Sequence, residues 1–112
     1  MKPPVLNRAL VLEAPERVAD GAGGFDLVWR AQGTLWAEVR PGTGRARAGA
    51  VGTLASVSLR ITVRAAPVGA PARPRPDQRF REGARIFRIL AVTEADPRGH
   101  YLVCFAQEEV VA

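Results

Sequence analysis

The most regular alternation of apolar and polar residues in the chain lies between residues 57 and 64. Its apolar positions are Val57, Leu59, Ile61 and Val63. A period of two residues is typical of a β-strand with one buried face and one face in solvent. Residues 33–41 alternate in the same way, and Pro41 ends the pattern because proline has no N–H to donate to a strand ladder. Both segments are predicted to be strands.

Two long connections interrupt the predicted strands. Residues 41–56 join the two segments above and contain Gly42, Gly44, Gly49 and Gly52. This loop is longer than an ordinary hairpin loop of about two to five residues. A short helix within residues 45–55 is an alternative, which Gly49 and Gly52 would each disfavour by about 1 kcal/mol. Residues 65–77 contain four prolines and are predicted to form an extended loop of polyproline type.

The first part of the chain is predicted to form a hairpin. Residues 6–13 have the pattern of a strand, which we expect Pro15 to end. The glycine-rich residues 20–24 indicate a turn. A return strand is predicted to start at Phe25, with a bulge at residues 32–33.

The last third of the chain is predicted to contain a turn-rich segment and a second hairpin. Residues 77–84 form the turn-rich segment, in which Phe80 is expected to anchor into the core. Strands follow at residues 85–93 and 100–106, and the loop at 94–99 contains the strong turn sequence Asp-Pro-Arg-Gly.

Short strands with long loops and no sustained helical period indicate an all-β fold. A small antiparallel β-barrel or a sandwich fits this pattern, and we predict the barrel, as a single domain over residues 1–112. The long loops are residues 41–56, between the second and third main strands, and the proline-rich residues 65–77. The predicted core consists of Val57, Leu59, Ile61, Val63, Phe80, Phe87 and Ile89.

Composition adds a basic character to this picture. The chain of 112 residues has a formal net charge of +5, and every basic residue except Lys2 is arginine. Arginine suits phosphate contacts, but a genome rich in G and C would give the same preference, so both explanations stay open. One cysteine permits no intrachain disulfide. Without an apolar run of about 18 residues, neither a membrane span nor a membrane partner is expected.

The sequence offers no arrangement of residues suited to catalysis. His100 is the single histidine, and it would lie about 13 Å along a strand from Cys104. Cys104 is interpreted as a small core residue and His100 as an ordinary residue at the start of a strand. We therefore predict a protein that is not an enzyme, with no catalytic residues, no metal and no cofactor.

Trp29, Trp36, Arg45 and Arg47 are the candidates for contacts with nucleic acid. The two tryptophans could share one face of a bulged strand and stack bases, or they could lie in the core or an interface. Arg45 and Arg47 lie in the glycine-rich loop, where they could contact DNA phosphates or simply face solvent.

The order of these features resembles a known family, the phage head-tail joining proteins, also called head-tail adaptor or head-closure (stopper) proteins. The resemblance covers nearly the whole chain and rests on the order and spacing of short motifs. They are Leu6 and Arg8, Gly23-Gly24, Trp29, the W-A-x-V-x-P stretch at 36–41, R-I-T-V-R at 60–64, Arg79-Phe80 and the stretch 83–92. The motif positions singled out are Trp29, Trp36, Val39, Pro41, Arg60, Phe80, Gly83 and Phe87.

The resemblance implies a small β-barrel that assembles into a homo-oligomeric ring, expected to be a hexamer, in the neck of a virion or phage-like particle. Its implied partners are the adaptor and portal-side rings, the tail terminator or tail proteins, and packaged double-stranded DNA. The protein would be made in the cytoplasm of a bacterial host. The loop carrying Gly42, Gly44, Arg45, Arg47, Gly49 and Gly52 would face the channel and help to retain DNA.

This chain departs from the family in two places, since its proline-rich loop is longer and its long loop is richer in glycine. An infectious phage, a prophage and a gene transfer particle all fit the resemblance. Two alternative functions remain at this point. One is a free nucleic-acid-binding barrel, and the other is a different ring of the same neck, such as the tail terminator.

Overall fold

The computed structural model describes residues 2–42, 47–48 and 54–111, and side chains within 2–42 and 56–109. All its regular elements are β-strands, in agreement with the predicted all-β class. They are β1 (Arg8–Ala19), β2 (Phe25–Pro41), β3 (Arg47–Ala48), β4 (Leu54–Arg64), β5 (Arg79–Glu82), β6 (Arg85–Glu94) and β7 (Tyr101–Val111). No helix occurs among the described residues. The alternative short helix at residues 45–55 includes the described residues 47–48 and 54–55, and these belong to strands.

Six of the strands pair into a closed antiparallel ring, which we call the strand ring. Its order is β1, β5, β6, β7, β4, β2 and back to β1, while β3 pairs only with the start of β4. Every pairing is antiparallel. Closure matters physically because a strand inside the ring has no free edge to pair with another chain.

The core lies inside the strand ring. Six of the seven predicted core residues are buried, and Val57 packs against them half-buried. Cys104 is also buried, as expected. The prediction omitted inward-facing residues on the other strands, namely Leu10, Leu12, Ala37, Leu102 and Ala106.

Several boundaries differ from the sequence-based prediction. Strand β4 starts at Leu54, inside the predicted long loop, and β7 runs to Val111 instead of ending at residue 106. Two further differences, in β1 and β5, bear on the shape of the strand ring. Strand β1 does not end before Pro15 but runs on to Ala19. Proline is tolerated there because β1 pairs with β5 only as far as Glu13, so that beyond this point it is an edge strand. The segment predicted to be only turns contains β5, which joins β1 to β6 and completes the ring.

The continuation of β1 and β2 beyond the ring forms a projection that we call the β1–β2 arm, residues 14–30. Its strands pair with each other from Ala14↔Arg30 to Ala19↔Phe25. The arm helps to make the molecule elongated, with a longest dimension of 51 Å and a radius of gyration of 15.3 Å. A compact domain of this size would have a radius of about 13 Å.

The predicted bulge is confirmed where the arm leaves the ring. Leu12 pairs with Gly33 but Glu13 pairs with Ala31, so Gln32 is the extra residue in β2. Gly33 has φ of 146°, a backbone conformation that glycine adopts more readily than other residues. The bulge therefore sets which β2 side chains of the arm share a face with those of the ring.

The proline-rich loop lies at one end of the strand ring and is folded into turns, so the predicted extended, polyproline-type conformation is wrong. The N–H groups of Ala70 and Arg73 donate to the carbonyl oxygens three residues before them. Pro74 is fully buried, and the Arg73 guanidinium donates to the Ala66 carbonyl oxygen at 2.8 Å. The buried Gln78 side chain accepts a hydrogen bond from the Arg75 N–H. We call this end the proline end, and the opposite end, where β2 stops and β4 starts, the loop end.

Candidate assembly surfaces

Four charged residues close the interior of the strand ring near its loop end. Arg8 and Arg85 lie at the starts of their strands, and Glu82 and Glu108 near the ends of theirs. Arg85 donates two hydrogen bonds to Glu108, at 2.7 and 2.8 Å. The Arg8 Nε donates to Glu82 at 3.0 Å, and Arg85 lies 3.8 Å from the same carboxylate. We call this group the loop-end ion cluster.

The cluster shifts the titration of its members. Hydrogen bonding to Arg8 holds the pKa of Glu82 below its ordinary value, and hydrogen bonding to Arg85 does the same for Glu108. The same contacts raise the pKa values of the two arginines. All four groups are therefore charged near neutral pH, and folding stabilises the ionised carboxylates.

A third carboxylate, Glu13, bridges two arginines on the outside of the strand ring. It accepts hydrogen bonds from Arg79 at 2.8 Å and Arg81 at 3.1 Å. Burial alone would raise the pKa of Glu13, but the two arginines together bring it below the ordinary value. The bridge ties β1 to β5 at the root of the arm.

We expect the protein to lose stability when the pH falls below about 4.5. The pKa values of Glu13, Glu82 and Glu108 are lower in the folded chain than their ordinary value of 4.5. The stability that these ionised carboxylates contribute is therefore fully present above that pH, and it is lost as the pH falls through their pKa values in the folded chain. Thermal unfolding at pH 7, 5, 4 and 3 measures this, with a smaller decrease expected for Glu108→Gln. A melting temperature that is flat or rising toward pH 3 would contradict the expectation.

The long loop leaves the strand ring at the loop end. Gly42 directly follows β2. Its N–H donates to the Ser58 carbonyl oxygen at 2.8 Å, and a Cβ there would lie 2.9 Å from the Ser58 Cβ. Arg47 belongs to β3, which pairs with β4, and its side chain lies outside the described atoms. Gly44, Arg45, Gly49 and Gly52 lie outside the described residues.

One face of the arm carries a row of apolar side chains, Phe25, Leu27 and Trp29. Cross-strand register places them on the same face as Pro15, Arg17 and Ala19. Arg17 lies over the Phe25 ring at 4.5 Å, and Arg79 lies over the Trp29 ring at 4.1 Å. Phe25 and Leu27 remain 59% and 58% exposed. We call these three residues the arm row.

Trp29 and Trp36 share one face of β2, as the bulge hypothesis proposed. They lie opposite Pro15 and Ala9, which are on the same side of β1. Neither tryptophan belongs to the core, because this face is the outside of the strand ring. Trp29 is covered by Arg79, whereas Trp36 is 60% exposed.

The other motif positions divide between the core and the surface. Phe80 and Phe87 are fully buried, and Val39 packs against the core. Gly83 has φ of 60° in the tight turn between β5 and β6, a left-handed conformation that favours glycine. Pro41 ends β2, and the exposed Arg60 lies over the Phe105 ring at 5.5 Å.

Sequence reasoning named Arg8 only as part of a motif, and it missed the other charged residues, Glu13, Glu82, Arg85 and Glu108. The only sequence signal of the loop-end ion cluster was the alternation of β1, which placed Arg8 on the same face as Leu10 and Leu12. The partners of Arg8 and Glu13 are 66 to 74 residues away in sequence, so only the folded chain brings them together.

The placement of His100 and Cys104 gives no support to nucleophilic chemistry. Cys104 is fully buried, which raises its pKa to about 12. The exposed His100 contacts only Asp96 among charged groups in the described part of the chain, at 3.7 Å. Within residues 2–42, 47–48 and 54–111 there is no metal-binding cluster of acidic, histidine and cysteine side chains. The same residues contain no helix of the length and apolarity needed to cross a membrane.

A closed strand ring with an exposed apolar arm is typical of a domain that packs against other proteins. Residues 1–109 match the family model of the phage head completion proteins. The chain therefore belongs to that family, which is structural and not enzymatic, and the resemblance seen in the sequence is confirmed.

A solved structure supports the same assignment. The chain is 69% identical to a protein in the structure described as the virion of a native gene transfer agent particle, with a TM-score of 0.86. The match covers 98% of this chain and 100% of the other. The comparison with curated proteins found no match.

Proposed function

We propose that this protein is the head-closure subunit of a gene transfer particle or a related phage-like particle. In this proposal it works as a small barrel, the form that a closed strand ring of this size would take. The observation that carries the proposal is the similarity to a virion component over the whole length of both chains. At 69% identity, the surfaces through which the two proteins assemble are expected to be largely shared.

In the proposed assembly, several copies form a subunit ring, a hexamer in our proposal, in the neck of the particle. The portal-side adaptor proteins lie on one side of this ring, and the tail terminator or tail proteins on the other. The packaged double-stranded DNA ends in the channel of this subunit ring. The net charge of +5 per copy supports a position close to DNA, because every copy adds to the positive potential around the channel.

The loop of residues 42–53 is the proposed DNA-retaining element. It leaves the strand ring at the loop end, and its sequence carries Arg45 and Arg47 among four glycines. One arginine contact with a phosphate is weak, but repeating it around a subunit ring multiplies the effect. The loop-end ion cluster closes the interior of the strand ring at the end where β2 stops and β4 starts, so we expect that the loop can be changed without opening the core.

Deleting residues 44–52 tests this function. We expect the deletion variant to fold and to join particles, because a shorter hairpin loop can connect β2 to β4. The particles should then lose packaged DNA, measured as nuclease-protected DNA per purified particle.

Two controls separate the contributions of charge and length. In the second variant the loop keeps its length, but Arg45 and Arg47 are replaced by serine. If length matters most, its particles should lose less DNA than the deletion particles. If charge matters most, they should lose as much. Deletion particles that retain as much DNA as wild type would refute DNA retention by the loop. An image of the neck without a ring of this protein would refute the proposed position.

A further inference from the structure

The proline-rich loop forms a pocket at the proline end that the proposed function does not use. We call it the proline-end pocket, and its volume is about 180 Å³. Two arginines and two glutamines line it together with residues 69–71, namely Arg73, Arg75, Gln32 and Gln78. Gln32 is the extra residue of the β2 bulge, so the pocket lies between the loop and the point where the arm leaves the strand ring.

Three successive turns hold the loop around this pocket in one shape. The N–H groups of Ala70, Arg73 and Gln78 each donate to the carbonyl oxygen three residues before them. Gly69 and Asp77 are the third residues of the first and last turns, and their φ angles of 86° and 72° are those that a type II turn requires there. A ligand would therefore meet a backbone that is already ordered, which reduces the entropy lost on binding.

Gln78 contributes a side-chain amide whose orientation is fixed. The residue is only 5% exposed, and its Oε1 accepts the Arg75 N–H at 3.0 Å, so the other polar atom of the amide is the donor Nε2. Within residues 2–42, 47–48 and 54–111, Nε2 donates to no protein acceptor. No side-chain nitrogen or oxygen of these residues is completely buried without a partner, so Nε2 reaches the surface of the pocket. A donor held in this way indicates an acceptor that comes from outside the chain.

The side chains around this donor make the pocket positive. Arg73 and Arg75 bring two guanidinium groups, and none of the described lining residues has a carboxylate. Neither arginine forms a salt bridge with any residue in the described part of the chain. Asp77, the carboxylate closest to them in sequence, lines a different pocket. The Arg73 guanidinium is anchored by one hydrogen bond to the Ala66 carbonyl oxygen and keeps its other N–H groups for a ligand.

We propose that the proline-end pocket binds a phosphate group. The planar fork of a guanidinium matches two oxygens of a phosphate, and the Gln78 amide supplies a further donor. Gln32 donates one of its two amide N–H groups to the Arg30 carbonyl oxygen and has the second for the ligand. The phosphate can come from solution or from the backbone of DNA, and the chemistry that the pocket recognises is the same. The single chain contains the whole site, so this inference does not depend on the proposed function.

Titration of the full chain with inorganic phosphate, followed by NMR, tests the site. The side-chain amide of each glutamine gives its own signals, and the chain has three, Gln32, Gln78 and Gln107. We expect the signals of Gln32 and Gln78 to move until the site is saturated. Those of Gln107, which lies on β7 outside the pocket, should stay in place. Chloride at the same ionic strength should move none of them.

Arg75→Gln should weaken phosphate binding at least about tenfold, because it removes charge-assisted hydrogen bonds to the ligand. The variant should fold as wild type does, since the Arg75 side chain is exposed and only its backbone N–H contacts Gln78. The matched control Arg64→Gln removes an exposed arginine at the end of β4, outside the pocket, and should leave binding unchanged. Equal losses in the two variants, or Gln78 signals that do not move with phosphate, would overturn the proposal.

Two further ligands identify the source of the phosphate. Dimethyl phosphate, which mimics the DNA backbone, should bind as tightly as inorganic phosphate if the pocket takes backbone phosphates, and much more weakly if it takes free phosphate. Either result supports a phosphate site. Acetate that binds more tightly than both would assign the pocket to a carboxylate of another protein and refute the proposal. The proposed function would stand even then, because its DNA-retaining loop lies at the opposite end of the strand ring.

Discussion

Ile61→Asp is expected to abolish folding. Ile61 is fully buried at the centre of β4, opposite Val39 on one side and Cys104 on the other. A carboxylate placed there has no partner, and burying it would cost several kcal/mol out of a total stability of about 5 to 15 kcal/mol. Circular dichroism during heating should show no cooperative transition.

The matched control places the same side chain on an outer face. Thr93 lies in β6, and its side chain is exposed. Thr93→Asp should therefore unfold cooperatively within a few degrees of wild type, since most surface substitutions change stability by about 0.5 kcal/mol or less. A cooperative Ile61→Asp variant that melts with this control would contradict the assignment of Ile61 to the core.

Arg85→Met is expected to produce the second largest loss of stability. The substitution keeps much of the side-chain length but removes both hydrogen bonds to Glu108, a residue that is only 8% exposed. A buried acceptor without its donor costs about 1 to 3 kcal/mol. Urea unfolding at pH 7 should show the loss as a lower midpoint with an unchanged slope.

Arg30→Met is the comparison for this variant, because it breaks an ion pair that is exposed on both sides. The side chains of Arg30 and Glu16 are 58% and 51% exposed. Such a surface pair contributes at most about 1 kcal/mol. Equal losses for Arg30→Met and Arg85→Met would show that burial of Glu108 adds nothing to the stability of the loop end.

Five of the six ring strands and the core residues on β4 and β6 followed from local patterns. The alternation in β4 identified Leu59, Ile61 and Val63 as inward residues, and all three are buried. Pro41 ends β2 because its ring removes a donor at that position, whatever the rest of the fold does. The bulge near Gln32 and the final hairpin also depend on neighbouring residues, so the sequence was sufficient to predict them.

The assembly surfaces depended on the tertiary structure. The first strand was predicted to end at Pro15, but β1 continues past this residue. In the arm, β1 has only β2 as a neighbouring strand, so a proline on its free side removes no ladder hydrogen bond. The exposure of Leu27 follows from that continuation, and no local pattern distinguishes it from a core leucine.

By itself, then, the sequence determined the all-β class, the two-residue periods and the turns, which arise from residues near one another in the chain. It also determined the family resemblance, which rests on the order of short motifs along the chain. The tertiary structure decided ring closure, the projecting arm and the charge pairs. Glu82 reaches Arg8 across 74 residues, and Arg85 reaches Glu108 across 23. Contacts of that kind depend on register and strand order, which the alternation of apolar and polar residues does not encode.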